Sequence, residues 1–243
     1  SNAGDTTIYV YYGDTSITSS QESVTTVWDS NYLGVWHMSQ TPPTPIYDST
    51  AAAHDGQSVS GSNPQQIYFY GHTDGAIHYD GYGDGTVVPD FLGTGIGALT
   101  VQVWVAADMI TAGTVTGAVL VGQASDSYAA PYSSFALTLG QTVNDSNFAF
   151  AITDAGTSTR TVVSSGNNTA NTTDWILVTG VWDGSTITLY VNGAASGTPV
   201  AKTGTLANVS TPVAMGYYPY EGNAALLIGA LDEVRISDTA RSS

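Results

Sequence analysis

No stretch of this chain repeats apolar residues at helical spacing over as many as ten residues; short runs alternate apolar with polar and break at Gly, Asn, Asp or Pro. Period-two alternation puts every second side chain on one face, so the pattern calls for strands packed through one side. Leu99, Val101, Val103 and Val105 fall on one face of such a run, with Thr100, Gln102 and Trp104 on the other. Phe148, Phe150 and Ile152 alternate with Ala149, Ala151 and Thr153. From Trp175 to Val191 one run reaches Trp182, the pair Asp183-Gly184 intervenes, and Ile187, Leu189 and Val191 then alternate with Thr186, Thr188 and Tyr190 before Asn192-Gly193. Asp-Gly and Asn-Gly tolerate positive φ at both central turn positions, which predicts tight hairpins and a three-strand meander. Near the end, Ile228, Ala230, Asp232, Val234 and Ile236 share one parity, with Leu231, Glu233 and Arg235 opposite. Many short strands in 243 residues predict an all-β domain, a two-sheet antiparallel sandwich of jelly-roll form with minimal helix. Residues 39–66 are rich in Pro, Ser and Gly and read as ordered surface loops, because strand-like runs flank them.

Charge narrows the partners. Four Lys and Arg against twenty Asp and Glu give a formal charge of −16, and Arg160, Lys202, Arg235 and Arg241 are scattered in sequence. Phosphate neutralisation needs clustered cations, so nucleic acid is excluded and polyanionic glycans are disfavoured. Neutral ligands and Ca²⁺ suit an acidic chain better. With no cysteine, disulfide frameworks and thiolate chemistry are out. No apolar run approaches a membrane span, so no direct membrane insertion is expected. Ser1-Asn2-Ala3 reads as the remnant of a cleaved expression tag.

Several segments together resemble the laminin-G-like, concanavalin A-like lectin/glucanase superfamily. These are Trp175 to Gly184, Leu189-Tyr190-Val191-Asn192-Gly193 and Ile228 to Ser237. Upstream, Asp48-Ser49-Thr50 followed by His54-Asp55-Gly56, then His78 to Asp84, then Leu99 to Val105, are similar to its other landmarks in the usual order. The likeness covers roughly residues 33 to 238. Thr6 to Gly13 and Val27 to His37 resemble the junction between a β-rich domain of microbial surface proteins and the laminin-G-like domain after it. The expected organisation is therefore a tag remnant at 1–3, a strand and linker left from a preceding domain at 4–32, and the sandwich at 33–243. Residues 6 to 12 are expected to pair with a sandwich edge, where their backbone groups find partners. The resemblance implies a piece of a larger microbial surface, secreted or virion (phage-like) protein, hence an extracellular location. One departure is Asp48-Ser49-Thr50-Ala51-Ala52-Ala53, where relatives carry a Gly/Asn-rich turn.

Fold does not decide between lectin, glucanase, lyase and spacer, so the residues must. A glycosidase needs two carboxylates roughly 5 to 10 Å apart. The family-16 glucanase pattern Glu-x-Asp-x-x-Glu is absent, the only glutamates being Glu22, Glu221 and Glu233. An Asp pair stays open. A lyase needs a Tyr or His base with a cation, and His37, His54, His72 and His78 all lie in the first third of the chain. No Gly-x-Ser-x-Gly elbow occurs. The chain is expected not to be an enzyme.

Two kinds of site remain. Asp232 has the parity of Ile228, Val234 and Ile236, so its carboxylate is expected on the apolar face, where it needs compensation. A structural Ca²⁺ held by Asp232, by Asp48 or Asp55 from the loop, and by backbone carbonyls would supply it, as several relatives join their chain ends; backbone N–H groups, Arg235 or Arg241 are the alternative. For a neutral glycan the candidates are aromatic platforms beside hydrogen-bonding groups. Tyr217, Tyr218 and Tyr220 with Asn223 form the first, Tyr128 and Tyr132 the second, and Trp104, on the polar face with Gln102, the third. The expected function is a non-catalytic carbohydrate-binding, lectin-like module, the alternatives being a structural or adhesive spacer and, last, a polysaccharide hydrolase or lyase.

Overall fold

A computed structural model describes residues 9, 12–19, 26–42, 44–59, 66–68, 70–108, 117–125, 130–140, 146–166, 169–218 and 226–242. These contain no α-helix and fifteen strands: β1 (Tyr32–Trp36), β2 (Gln57–Val59), β3 (Gln66–Tyr68), β4 (Ala76–Asp80), β5 (Gly85–Val88), β6 (Leu99–Ala107), β7 (Ala118–Ala124), β8 (Ser133–Leu139), β9 (Phe148–Thr153), β10 (Arg160–Ser164), β11 (Ile176–Trp182), β12 (Thr186–Val191), β13 (Ala194–Ala201), β14 (Val213–Met215) and β15 (Ile228–Ser237). An eight-stranded sheet has the order β13-β12-β11-β6-β15-β4-β3, with β1 also on β15; a seven-stranded sheet runs β10-β9-β8-β7-β14-β5-β2. All pairings are antiparallel.

The core lies between the sheets and follows the alternation. Leu99, Val101, Val103 and Val105 of β6 join Val178 and Trp182 of β11 and face Leu137, Phe148, Phe150 and Ile152 from the other sheet. The expected meander is β11, β12 and β13. Its second turn has positive φ at both Asn192 (50°) and Gly193 (77°), whereas in the first only Gly184 (87°) does. There Asp183 Oδ1 accepts hydrogen bonds from Ser185 N, Ser185 Oγ and Thr186 N, an Asx-type lock on the turn.

Strands β7, β8 and β9 depart from one-sided burial, being buried at every residue. Their outer face carries a second apolar cluster of Val119, Ala124, Ala136, Ala151 and Tyr218. Small residues there leave room for the cover, since a Cβ on Gly122 would lie 2.7 Å from Tyr218 Oη.

In β15 the parity read from sequence is corrected. Glu233 has φ +51°, and the register with β6 shifts between Asp232 and Arg235, the mark of a β-bulge. The extra residue resets the alternation, so Leu231, Val234 and Ile236 enter the core. Asp232 lies on the opposite face from them. Of the expected terminal strand at 6–12, only Tyr9 and Tyr12 are described, 74% and 94% exposed; the rest lies outside the described residues.

Core packing leaves no slack at Gly180, where a Cβ would come within 2.3 Å of the Phe150 ring. Gly180→Ala is expected to destabilise the fold by about 1–3 kcal/mol through overpacking, measured by urea unfolding. Unchanged stability would show that Phe150 can shift without cost.

Candidate functional site

On the eight-stranded sheet, the face away from the core is built in rows of directly paired residues. Thr179 of β11 pairs with Gln102 of β6, and Gln102 with Arg235 of β15; one row along, Leu177, Trp104 and Asp232 stand side by side; on the other side lie Val181, Thr100 and Ser237. Directly paired residues share a face, so β6 places Thr100, Gln102 and Trp104 outward as its polar alternation requires. Gln102 Nε2 donates to Thr179 Oγ1 at 3.1 Å, and Arg235 Nη1 approaches Gln102 Oε1 at 3.5 Å. Over Trp104 lies the exposed ring of His72, parallel within 11° at a centroid distance of 3.5 Å.

His72 belongs to the turn from Gly71 to Gly75, which folds over Asp232. The turn closes with Gly71 N donating to Asp74 O at 3.0 Å, and Asp74 has φ +68°. Asp232 is fully buried beneath it; Oδ2 accepts from Thr73 N at 2.8 Å, and no donor reaches Oδ1 with hydrogen-bond geometry. Burial pushes its pKa from 3.8 up to about 6, against the backbone N–H of Thr73, which favours the anion. Glu233 next to it is bound by His37 Nδ1 at 2.7 Å and Arg235 Nη2 at 2.8 Å. Burial alone would raise the Glu233 pKa, but these two partners outweigh it and hold the carboxyl below its usual range. Glu233 in turn raises the pKa of His37. Arg235 lies over the Trp28 ring at 5.2 Å.

The carboxylates expected to hold a Ca²⁺ are engaged separately. Asp48 Oδ1 accepts from Val35 N and Thr50 N, and Oδ2 from Thr50 Oγ1 and His54 N, which fills the acceptor capacity of the carboxylate. Asp55 Oδ1 accepts from Asp48 N, while Asp232 is held by the turn at Thr73. Among the described residues no three His, Asp or Glu side chains converge as a metal-binding group. Arg235 and Arg241, the other expected counter-charges of Asp232, pair instead with Glu233 and Asp29.

The tyrosine candidates also separate. Tyr217 and Tyr218, expected as exposed platforms, are each 8% exposed. Tyr217 packs over Gly85, whose Cβ position lies 1.9 Å from its ring, and Tyr218 over Gly122. They close the outer face of the seven-stranded sheet, which explains their burial in a segment without strand alternation. Tyr220, Asn223 and Tyr128 lie outside the described residues. Tyr132 is 59% exposed, just ahead of β8 in the other sheet from Trp104. Sequence reading placed Trp104 and Gln102 on their face but missed His72 and Trp28, for which a lone ring in a loop gives no signal.

Two substitutions test this description. Asp48→Ala removes the acceptor of four donors joining the 48–54 loop to β1 and is expected to cost about 3 kcal/mol in chemical denaturation. For Asp232 the folded-state pKa is raised, so the folded protein keeps a proton that the unfolded chain has lost between pH 3.8 and about 6. Its contribution to stability is therefore complete below that window and lost as pH rises through it. Asp232→Asn is expected to raise the melting temperature at pH 7.5 and to leave it unchanged near pH 4; the opposite pH trend would show that the anion is the stabilised form.

Comparison with known proteins agrees with this architecture. The family model for the concanavalin A-like lectin/glucanases superfamily matches residues 80–243. Similar solved structures include domain 4 of AbnA, a GH43 extracellular arabinanase from Geobacillus stearothermophilus, in complex with arabinotriose: TM-score 0.63, 14% identity, 86% of this chain and 93% of that one covered. The binding domain of Paraclostridial Mosquitocidal Protein 1 gives a TM-score of 0.65 at 14% identity, with 87% of this chain and 49% of that one covered. Trypanosoma rangeli sialidase in complex with 2,3-difluorosialic acid gives 0.59 at 13% identity, covering 88% of this chain and 32% of that one. A comparison with curated protein sequences finds no match. At these identities the structural likeness speaks for the fold, and the family match over two sheets of the observed order completes the assignment: the chain belongs to the concanavalin A-like lectin/glucanases superfamily.

Proposed function

We propose that the chain is a non-catalytic glycan-binding module of a surface, secreted or virion protein, and that the glycan lies on the outward row of β6 and β15. The observation that carries this reading is the His72–Trp104 stack, because it marks the flat face of Trp104 as open to a planar partner from outside the sheet. Apolar ring faces of sugars stack on aromatic faces, and His72, on an exposed turn, is the group a sugar displaces. Gln102 and Thr179 stand about 7 Å further along the strands, within reach of the next hydroxyls. The arabinotriose-bound neighbour supports a glycan ligand for the fold. The scarcity of cations along the chain supports a glycan that is neutral over most of its length.

The non-catalytic part rests on the nearby carboxylates. Asp232 is inaccessible and Glu233 is committed to His37 and Arg235, so neither is free for acid–base work on a bound sugar. Burial of Tyr217 and Tyr218 favours the spacer reading as the second choice. Among the described residues no helix is long and apolar enough to cross a membrane.

The test is a titration with neutral oligosaccharides, arabinotriose included, followed by tryptophan fluorescence. Binding at millimolar or lower concentration is expected, weakened tenfold or more by Trp104→Ala and retained or strengthened by His72→Ala. Failure of every oligosaccharide to bind returns the domain to the spacer reading.

A further inference from the structure

At one end of the same row the sheet opens into a cavity of about 240 Å³ lined by Tyr32, Thr100, Gln102, Arg235, Ser237, Arg241 and Ser242. The chain has only four Lys and Arg residues, and two of them face this one space in a molecule of formal charge −16. We infer that the cavity is a binding site for the carboxylate of a hydroxylated acid such as a single uronic acid residue, either free or as one acidic unit of an otherwise neutral glycan.

Both guanidiniums are anchored on one side and keep donors in reserve. Each guanidinium carries five N–H donors in a rigid fork. Arg241 spends three, with Nε on Ser237 Oγ at 2.8 Å and Nη1 and Nη2 on Asp29 at 3.0 and 2.6 Å. Its Cζ lies 3.7 Å from the centroid of the Tyr32 ring, a cation–π contact. Arg235 spends one on Glu233 Oε2 and makes one long contact with Gln102 Oε1. The end-on fork of Arg241 is taken by Asp29, and the donors left over on the two guanidiniums make charge-assisted hydrogen bonds to a carboxylate, about twice as strong as those to a neutral oxygen. Asp29 and Glu233 balance the two cations formally, and neither is among the residues that line the cavity.

The remaining lining defines what surrounds the carboxylate. Thr100 Oγ1 donates to Thr239 O and accepts from Arg241 N, and Ser237 Oγ donates to Asn31 O and accepts from Arg241 Nε, so both hydroxyls are fixed in direction and hold Arg241 in place. Ser242 and Gln102 add further polar groups, and Tyr32 supplies one apolar ring. The volume equals about eight waters, which suits a single sugar-sized group and is below the range of drug-sized sites. Gln102 belongs to this lining and lies one row from Trp104 on the outer face of β6, so an acidic unit here continues into a neutral stretch there.

This inference deepens the glycan reading and rests on it for the longer ligand, but the pocket is tested by itself. The probes are glucuronate, glucose as its uncharged counterpart and acetate as the bare carboxylate, titrated calorimetrically at fixed ionic strength. Glucuronate is expected to bind at least tenfold more tightly than either of the others, with affinity falling as salt rises. Ser242→Phe fills the cavity from an exposed residue and is expected to abolish the glucuronate signal without lowering the melting temperature; Arg241→Gln is expected to weaken it tenfold or more. Glucuronate binding should survive Trp104→Ala. Equal binding of glucose or acetate, no binding of glucuronate, or a signal unchanged in Ser242→Phe overturns the assignment. Neutral oligosaccharides that bind through Trp104 with glucuronate silent would sink this inference alone; glucuronate bound in the pocket with no oligosaccharide held would sink the glycan-row reading alone.

Discussion

The last strand organises the eight-stranded sheet. β15 pairs along much of its length with β6, while on its other side β4 takes residues 228–231 and β1 takes residues 234–237. Two short strands from early in the chain thus share one edge of a single long partner, and the handover coincides with the bulge at Glu233. A bulge disrupts the ladder locally and sharpens the twist. Here it also turns Asp232 to the outer face and leaves Glu233 within reach of His37, just past β1. Chain-end closure and the polar outer cluster therefore have one cause in the backbone.

Much of this was legible in the sequence where local pattern and turn chemistry agree. The run from Trp175 to Asn192-Gly193 specifies β11, β12 and their turns, because alternation sets the inward face and Asn-Gly sets the hairpin. The same alternation separated Trp104 and Gln102 from Val103 and Val105. It failed at β15 because the bulge sits on a glutamate with positive φ, a conformation that no Gly or Asn announces. The tyrosines misled for a related reason: Tyr217 and Tyr218 are buried by glycines at 85 and 122, far away in sequence, whose missing side chains make the space. Only the fold brings those positions together.

Charge placement shows the same division. Scarcity of Lys and Arg is plain in the composition, but how they are used is not. Lys202 is buried, with Nζ on Asp154 Oδ2 at 2.6 Å and on Thr159 O at 2.8 Å, and it holds the Asp154 carboxyl well below the usual range. Such a pair is costly to break from one side, since the partner stays behind in a dry site. Arg235 and Arg241 instead form part of the outer wall beside Tyr32 and Trp28. Three of four cations thus tie distant segments to one another.

That economy of cations bears on how the molecule behaves in a crowd of its own kind. β13, at one end of the eight-stranded sheet, is largely exposed along its length and presents Ala194 to Ala201 with Pro199 among them. Gly197 of this strand abuts the Ser164 carbonyl of β10, and where the outer ladder of a terminal strand stays unpaired it invites another copy to continue the sheet. Proline removes one donor from that edge, and a body with a large excess of negative charge repels its twin before the edges meet. Because the repulsion acts between solvated surfaces, it is screened over about 8 Å at physiological ionic strength. Colloidal stability of this sandwich is thus a property of its ionic surroundings as much as of its sheets.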